Sequence, residues 1–251
     1  MKIGIALSGG GARGVAHIGV LKALDELGIR PHVLSGTSAG ALVGALYAHG
    51  YKPDEIFTVF KSVSIFKSVR PAWAWSGLLN MDGMTELLLK HLPENTFESL
   101  TIPLTVTATD IRSGHPAYFS KGPLIPTLVA SCSIPAIFNP QKIDGNLYVD
   151  GGLVDNLPVN SIVKSCDFLV GIHCNHINPV YEPSHIKSII ERSLLIAIKS
   201  NTNHSRAMCD VCIEPPFMDR FSTFDIKKAE EIFNYGYHFT KENYGRQHFE
   251  K

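Results

Sequence analysis

The chain places a serine between glycines at the junction of an apolar run and a helical pattern. In residues 33–47, VLSGTSAGALVGALY, the first residues are typical of the end of a short buried strand, and residues 41–47 favour a helix. Between them lies G-x-S-x-G, with Ser38 at its centre and Gly36 and Gly40 beside it. A Cβ at either glycine would clash across so tight a turn, and the following helix points free N–H groups at the serine. The pattern predicts a strand, a sharp turn that exposes Ser38, and a helix.

Strand and helix patterns alternate along the chain, which predicts an α/β fold around a largely parallel sheet. The predicted strands are Ile3–Leu7, Val33–Ser35, Leu104–Asp110, Ala117–Ser120, Lys142–Val149 with a hairpin turn, Phe168–Ile172 and Val211–Ile213. The predicted helices are Val15–Leu27, Ala39–His49, Pro53–Ser62, Met84–His91, Pro123–Cys132, Ser184–Arg206 and Ile226–Tyr237. Because the 251 residues contain no repeat or linker, a single domain over residues 1–251 is the simplest organisation.

A glycine-rich turn follows the first predicted strand. Residues 8–14, SGGGARG, satisfy the dinucleotide-binding pattern G-x-G-x-x-G and lead into a helix. That interpretation requires an acidic residue about 20 positions further on, at the end of the second strand. Residues 31–36, PHVLSG, contain none. The loop instead indicates an anion-binding nest, in which the backbone N–H groups of Gly9, Gly10 and Gly11 form an oxyanion hole.

An aspartate stands after the predicted hairpin, and two glycines follow it. In VDGG, Gly151 and Gly152 remove bulk behind Asp150, so that its carboxylate can reach a neighbouring serine hydroxyl. An aspartate of ordinary pKa, about 4, is a poor base for a hydroxyl, so its pKa has to be raised. Burial among the apolar side chains of residues 134–138, IPAIF, would raise it.

Together these elements resemble the patatin-like phospholipase family. The matching pieces cover the chain apart from Ser64 to Asn80 and are SGGGARGVAHIGVL, GTSAGALVGALYA, VASCSIPAIF, YVDGGLVDNLPV, CDVCIEP and FDIKKAEEIFNYGY. The resemblance implies a three-layer α/β/α sandwich and a Ser–Asp dyad without histidine, with Ser38 as nucleophile and Asp150 as proton acceptor. It also implies a carboxylic ester hydrolase that acts on lipid acyl esters, as a phospholipase A, lysophospholipase or carboxylesterase. No metal or other cofactor is expected.

Residues around these elements are expected to support the site. Arg13 has two interpretations, contact with a phosphate or with the oxyanion amides, and a surface ion pair. Asn156 is expected to brace the Asp150 turn by bonding to backbone. The supporting set is Arg13, Gly14, Gly36, Gly40, Gly151, Gly152 and Asn156.

The sequence is also compatible with three other kinds of site. A conventional triad would need a histidine, for which His173 and His176 are the best candidates. Cys209 and Cys212 form a C-x-x-C that could bind zinc together with these histidines. Against zinc, side chains at i and i+3 on a strand point to opposite faces, and buried cysteines are ordinary small hydrophobes. A protein that binds an anion or nucleotide in the glycine loop without turnover is the competing class.

Composition limits the partners. Basic and acidic residues number 23 each, so nothing indicates a nucleic-acid partner. The N-terminal apolar run is too short for a secretory signal, and no stretch approaches the roughly 18 apolar residues of a membrane-spanning helix, which predicts a soluble, cytoplasmic protein. Ile65 to Leu79, IFKSVRPAWAWSGLL, combines tryptophans with basic residues. It is a candidate acyl-binding lid or transient membrane contact, with core packing as the alternative.

Overall fold

The computed structural model describes residues 1–62, 70–71, 79–177, 179–180, 182, 184, 186–223 and 226–250. The strands are β1 Ile3–Leu7, β2 Val33–Thr37, β3 Arg70–Pro71, β4 Leu79–Asn80, β5 Leu104–Asp110, β6 His115–Phe119, β7 Gln141–Ile143, β8 Asn146–Asp150, β9 Phe168–Ile172 and β10 Val211–Ile213. The helices are α1 Val15–Glu26, α2 Ala39–His49, α3 Pro53–Ser62, α4 Asp82–His91, α5 Leu124–Ser131, α6 Ile186–Ala207 and α7 Ala229–Asn243.

Eight of the described strands form one mixed sheet in the order β10-β9-β1-β2-β5-β8-β7, and β6 pairs with β5. The strands β10, β9, β1, β2 and β5 run parallel, whereas β6, β7 and β8 join the sheet antiparallel. Every residue of β1, β2 and β9 is buried, as expected of parallel strands that are covered on both faces. The predicted α/β fold with a mostly parallel sheet is therefore confirmed.

The two faces of the sheet are covered differently. One face packs into a large core with the apolar sides of α1, α2 and α7. A smaller cluster, in which Ala6, Val33 and Leu169 meet Leu157 and Ile162, covers the other face. Short 3-10 turns at Val159–Ser161 and Val163–Ser165 belong to this second layer, and the residues that follow α6 pack against it.

Two predicted segments differ from the structure or lie beyond its description. The last helix is predicted over Ile226–Tyr237, but the observed helix runs from Ala229 to Asn243. It begins later because Ile226–Lys228 forms a 3-10 turn, and it extends further because Phe239 also packs on the core. The candidate lid, Ile65 to Leu79, falls almost wholly outside the described residues. Within the described residues, no helix combines the length and the hydropathy that crossing a membrane requires.

The start of α2 lies close against the end of β1 at Gly40. A Cβ on Gly40 would collide with the Leu7 carbonyl and would lie 2.6 Å from the Ser8 carbonyl oxygen. These contacts are with backbone, which cannot swing away as the end of a side chain can. Glycine at this position therefore sets how closely the start of α2 lies against the end of β1.

Gly40→Ala is expected to lower the free energy of unfolding by about 1–3 kcal/mol, because the new methyl group overpacks the contact with β1. Gly44→Ala, one turn later in α2, is the matched control, since its Cβ would meet only leucine methyl groups, the nearer at 3.3 Å. Urea unfolding of both variants measures the difference. A loss as large in Gly44→Ala would contradict this account of the β1–α2 contact.

Candidate active site

Ser38 occupies the sharp turn between β2 and α2 in a strained conformation. Its φ is 53° and its ψ is −123°, a backbone conformation that residues other than glycine rarely adopt. The Ser38 N–H donates to the Ser131 hydroxyl at 2.8 Å, and that hydroxyl donates to the Thr107 carbonyl at 2.6 Å. A Cβ on Gly36 would lie 2.7 Å from the Ala41 nitrogen, so the turn also requires glycine there. The predicted strand–turn–helix is present.

Sheet register brings the ends of three strands together around Ser38. β1 ends opposite Gly36 of β2, which places the glycine loop beside the serine turn. β2 ends opposite Thr107 of β5, and Asp150 ends β8 opposite the next residue, Ala108. The antiparallel approach of β8 therefore delivers Asp150 to the same place as Ser38.

The Asp150 carboxyl is buried beside Ser38. Its Oδ1 accepts a hydrogen bond from the Gly152 N–H at 2.8 Å. Burial raises the pKa of Asp150 from 3.8 to about 6, against the smaller lowering by the neighbouring Ser38 side chain and the Gly152 N–H. Ile134 and Ile137, from the apolar segment expected to exclude water, line the groove beside the carboxyl. The pKa of Asp150 therefore shifts in the direction that a base for a hydroxyl requires.

The glycine loop presents two backbone amides that have no partner among the described residues. The Gly9 N–H donates to the Asn156 carbonyl at 3.0 Å, so it is already engaged. The Gly9 carbonyl accepts from Asn175 Nδ2 at 2.6 Å, and this bond orients the peptide plane whose N–H belongs to Gly10. The N–H groups of Gly10 and Gly11 donate to no residue in the described part of the chain. Of the three amides predicted for an oxyanion hole, those of Gly10 and Gly11 are therefore the two that remain available to a ligand.

Comparison with known proteins gives this arrangement a family. The family model of the patatin-like phospholipases matches residues 5–163, which include Ser38, Asp150 and the glycine loop. This chain is a member of that family. The solved structure of VipD from Legionella pneumophila has the same fold, with a TM-score of 0.57 and 15% identity over 96% of this chain and 66% of that one.

The curated relatives of this patatin-like chain are longer proteins. An uncharacterized NTE family protein of Mycobacterium tuberculosis is 35% identical over 178 residues, which are 69% of this chain and 49% of the relative. The lysophospholipase NTE1 of Kluyveromyces lactis is 27% identical over 94% of this chain and 18% of its own length. The chain thus spans half or less of the length of these relatives.

Sequence reasoning missed three residues of the patatin-like site. Ser131 anchors the Ser38 N–H, Asn175 orients the Gly9–Gly10 peptide, and the Cys132 thiol lies beside Ser38. Burial raises the pKa of Cys132 well above its ordinary value, so the thiol is neutral. Asn175 had a usable signal, because it closely follows the buried strand β9 at the edge where β1 also ends.

Arg13 and Asn156 act on backbone in ways the sequence did not specify. Arg13 is buried and not at the surface, where an ion pair was one of its two interpretations, and its Nε donates to the Phe221 carbonyl at 2.7 Å. The Asn156 carbonyl holds the Gly9 amide, and its side chain lies where a Cβ on Gly9 or Gly152 would stand. Asn156 therefore braces the glycine loop through its main chain; no hydrogen bond from its side chain to the Asp150 turn is present among the described residues.

The candidate histidines lie away from Ser38. His173 Nδ1 is 2.8 Å from Glu214 Oε1, and His176 Nδ1 is 3.8 Å from the same oxygen. These groups line a separate polar pocket, whereas Ser38 and Asp150 line the groove that contains neither histidine. The structure therefore does not bring His173 or His176 to Ser38 as a triad through either of them would require.

Cys209 and Cys212 lie against β9 at Gly171. Cys209 precedes β10 in the turn after α6, and both sulfurs approach Gly171, at 2.7 Å and 3.6 Å from where its Cβ would stand. The expectation that the two thiols point to opposite faces is therefore wrong, because Cys209 is not on the strand. Among the described residues, no group of three or more His, Cys, Asp and Glu side chains is placed to hold a metal ion.

Ser131→Ala is expected to lower the free energy of unfolding by about 1–3 kcal/mol, because it leaves the buried Ser38 N–H without an acceptor. Ser161→Ala is the control, since that hydroxyl is half-buried and only donates to the nearby Pro158 carbonyl. Urea denaturation of both variants tests the claim. Equal losses in the two variants would mean that the bond to Ser38 carries no special weight.

Proposed function

We propose that this patatin-like chain is a serine hydrolase that cleaves acyl esters of lipids, with Ser38 as nucleophile and Asp150 as its base. The observation that carries the proposal is the position of the buried Asp150 carboxyl beside the Ser38 side chain in one groove, close enough for Ser38 to lower the pKa of the carboxyl. A carboxylate in water prefers to remain ionised, whereas one that is desolvated gains by accepting a proton. Burial therefore supports a direct proton transfer from the hydroxyl without an intervening histidine.

The reaction assigns each group one task. As Ser38 Oγ forms a bond to the ester carbonyl carbon, its proton passes to Asp150, and the amides of Gly10 and Gly11 donate to the developing oxyanion. Collapse of this intermediate breaks the bond to the alcohol oxygen, which takes the proton from Asp150. Water then attacks the acyl carbon of the acyl-enzyme as Asp150 accepts its proton. Collapse of this second intermediate breaks the bond between the acyl carbon and Ser38 Oγ, Oγ takes the proton from Asp150, and the carboxylic acid leaves. Asn175 is a positioning residue, because it orients the Gly10 amide through the Gly9 carbonyl.

The surroundings of the dyad support a lipid substrate. The groove that contains Ser38 and Asp150 has a volume of about 360 Å³ and is walled largely by apolar side chains, among them Leu153, Ile190 and Ile198. Ile186 and Ile190 of α6 are more than half exposed at this groove. Exposed apolar side chains beside a site are expected where the ligand itself carries hydrocarbon. The name of the yeast relative, a lysophospholipase, points to the same substrate class.

Asp150→Asn is expected to lower the rate of ester hydrolysis by roughly 10²–10⁴-fold, because it removes the proposed base. Ser38→Ala is expected to abolish both turnover of p-nitrophenyl esters and labelling by a fluorophosphonate probe. His176→Asn is the control and should leave both intact, since His176 contacts Glu214. Loss of activity in a folded His176→Asn variant to the Ser38→Ala level would overturn the dyad. Turnover equal in wild type and Ser38→Ala would favour a binding protein.

The pH profile is expected to report Asp150. If the carboxylate accepts the proton, kcat/KM falls about tenfold per pH unit below pH 6, because burial raises the pKa of Asp150 to about 6. Asp155 supplies the matched control, since burial also raises its pKa to about 6 but its partner is the Tyr118 hydroxyl. Asp155→Asn should keep the inflection near pH 6. Disappearance of the inflection in Asp155→Asn would show that the titration belongs to Asp155 and would contradict the assignment to Asp150.

A further inference from the structure

Two cavities meet at Ser38, and they differ in whether they contain the base. The wide groove holds Asp150 and Gly10, as described above. The second cavity, called here the narrow cavity, has a volume of about 40 Å³ and shares Gly11, Ser38 and Ile134 with the groove. Among the described residues that line the narrow cavity, Asp150 is absent.

The narrow cavity runs from Ser38 between three helices. Leu42 of α2, Phe60 of α3 and Met84 of α4 form its walls, and Met81 and Phe138 complete them near the serine. These five side chains are almost fully buried. Apart from Ser38, the described side chains of the cavity are apolar or the neutral Cys132 thiol, so it suits hydrocarbon and no charged group.

A third space continues the narrow cavity beyond Met84. It has a volume of about 10 Å³ and is lined by Leu42, Phe60 and Met84 from its far side, together with Leu46 and Leu88. The three shared side chains are therefore the partition between the two spaces. Methionine is the most adaptable of them, because its unbranched thioether chain changes rotamer at little cost.

The chemistry of the dyad decides which cavity receives which part of an ester. The proton taken from Ser38 must reach the leaving alcohol oxygen, and the attacking water must give a proton to the same carboxyl. Alcohol and water therefore have to approach on the Asp150 side, which is the wide groove. We propose that the narrow cavity binds the acyl chain of the substrate and that Met84 limits the length of chain it accepts. This inference rests on the proposed hydrolase function.

The size of the narrow cavity sets the expected preference. At about 40 Å³ it is far smaller than the cavity of about 150 Å³ that holds a benzene molecule in other proteins. Among esters that differ in the acyl chain, the wild-type chain should therefore hydrolyse those with short acyl chains best, and the hydrocarbon of a lipid's alcohol part would lie in the wide groove. Removing the Met84 side chain joins the narrow cavity to the space beyond it, and each further methylene then buried should raise kcat/KM about fourfold.

The experiment compares p-nitrophenyl esters of two to twelve acyl carbons on wild type and Met84→Ala. We expect the optimum to move to longer chains by about two to four carbons, the space vacated by three side-chain heavy atoms. Met218→Ala, which truncates a fully buried methionine outside both cavities, should leave the profile unchanged. Ile190→Ala in the groove should change KM for every ester alike. If Met84→Ala does not fold, Met84→Val should shift the optimum in the same direction.

A binding measurement separates this inference from the proposed function. Fatty-acid anions of four, eight and twelve carbons are titrated into Ser38→Ala with and without Met84→Ala, and their Kd values are measured by calorimetry. Tighter binding of the longer anions when Met84 is truncated supports the acyl site, whether or not the chain turns over esters. An absence of ester turnover would contradict the hydrolase proposal alone. Ester turnover whose length preference follows Ile190→Ala and ignores Met84→Ala would overturn the acyl site and leave the hydrolase standing.

Discussion

The site depends on one steric constraint, the contact of the first turn of α2 with the carboxyl end of β1. Gly40 lies against the Leu7 and Ser8 carbonyls, and a Cβ on Gly14 would lie 2.5 Å from that of Ala39. Because no side chain separates these backbones, the serine turn and the glycine loop are held side by side. The strained φ of Ser38 persists because this packing and the bond to Ser131 leave the turn no alternative.

Burial of Asp150 links the stability of the fold to its chemistry. The folded pKa of this group is about 6 against an ordinary value of 3.8, so the neutral carboxyl suits the folded chain better than the carboxylate. Its contribution to stability is complete below about pH 4 and is lost as the pH rises through 6. Asp155 follows the same rule for the same reason. A site that needs a basic carboxylate at neutral pH therefore destabilises the chain that carries it.

Ser38 also lies at a boundary between two environments. On one side the wide groove brings Asp150 and the glycine loop at Gly10 and Gly11 to the serine. On the other side α2, α3 and α4 close around a small apolar space that only hydrocarbon would fill. The leucine and phenylalanine side chains that bury the core thus also wall this cavity, and in the proposed reaction they would separate the two halves of an ester. Recognition of the substrate then follows from packing more than from polar contacts.

The sequence by itself determined the α/β class, the strand–turn–helix at Ser38 and the placing of Asp150 after a hairpin, because these follow from local periodicity and from turns that only glycine permits. Only the tertiary structure decided which amides of the glycine loop are free, since the Gly9 N–H is taken by Asn156, which is 147 residues away in the chain. The same holds for Ser131, Asn175 and the burial of Arg13, whose partners lie on distant segments. Periodicity reports which face of an element is buried, but partners so far apart in sequence meet only when the sheet register is set.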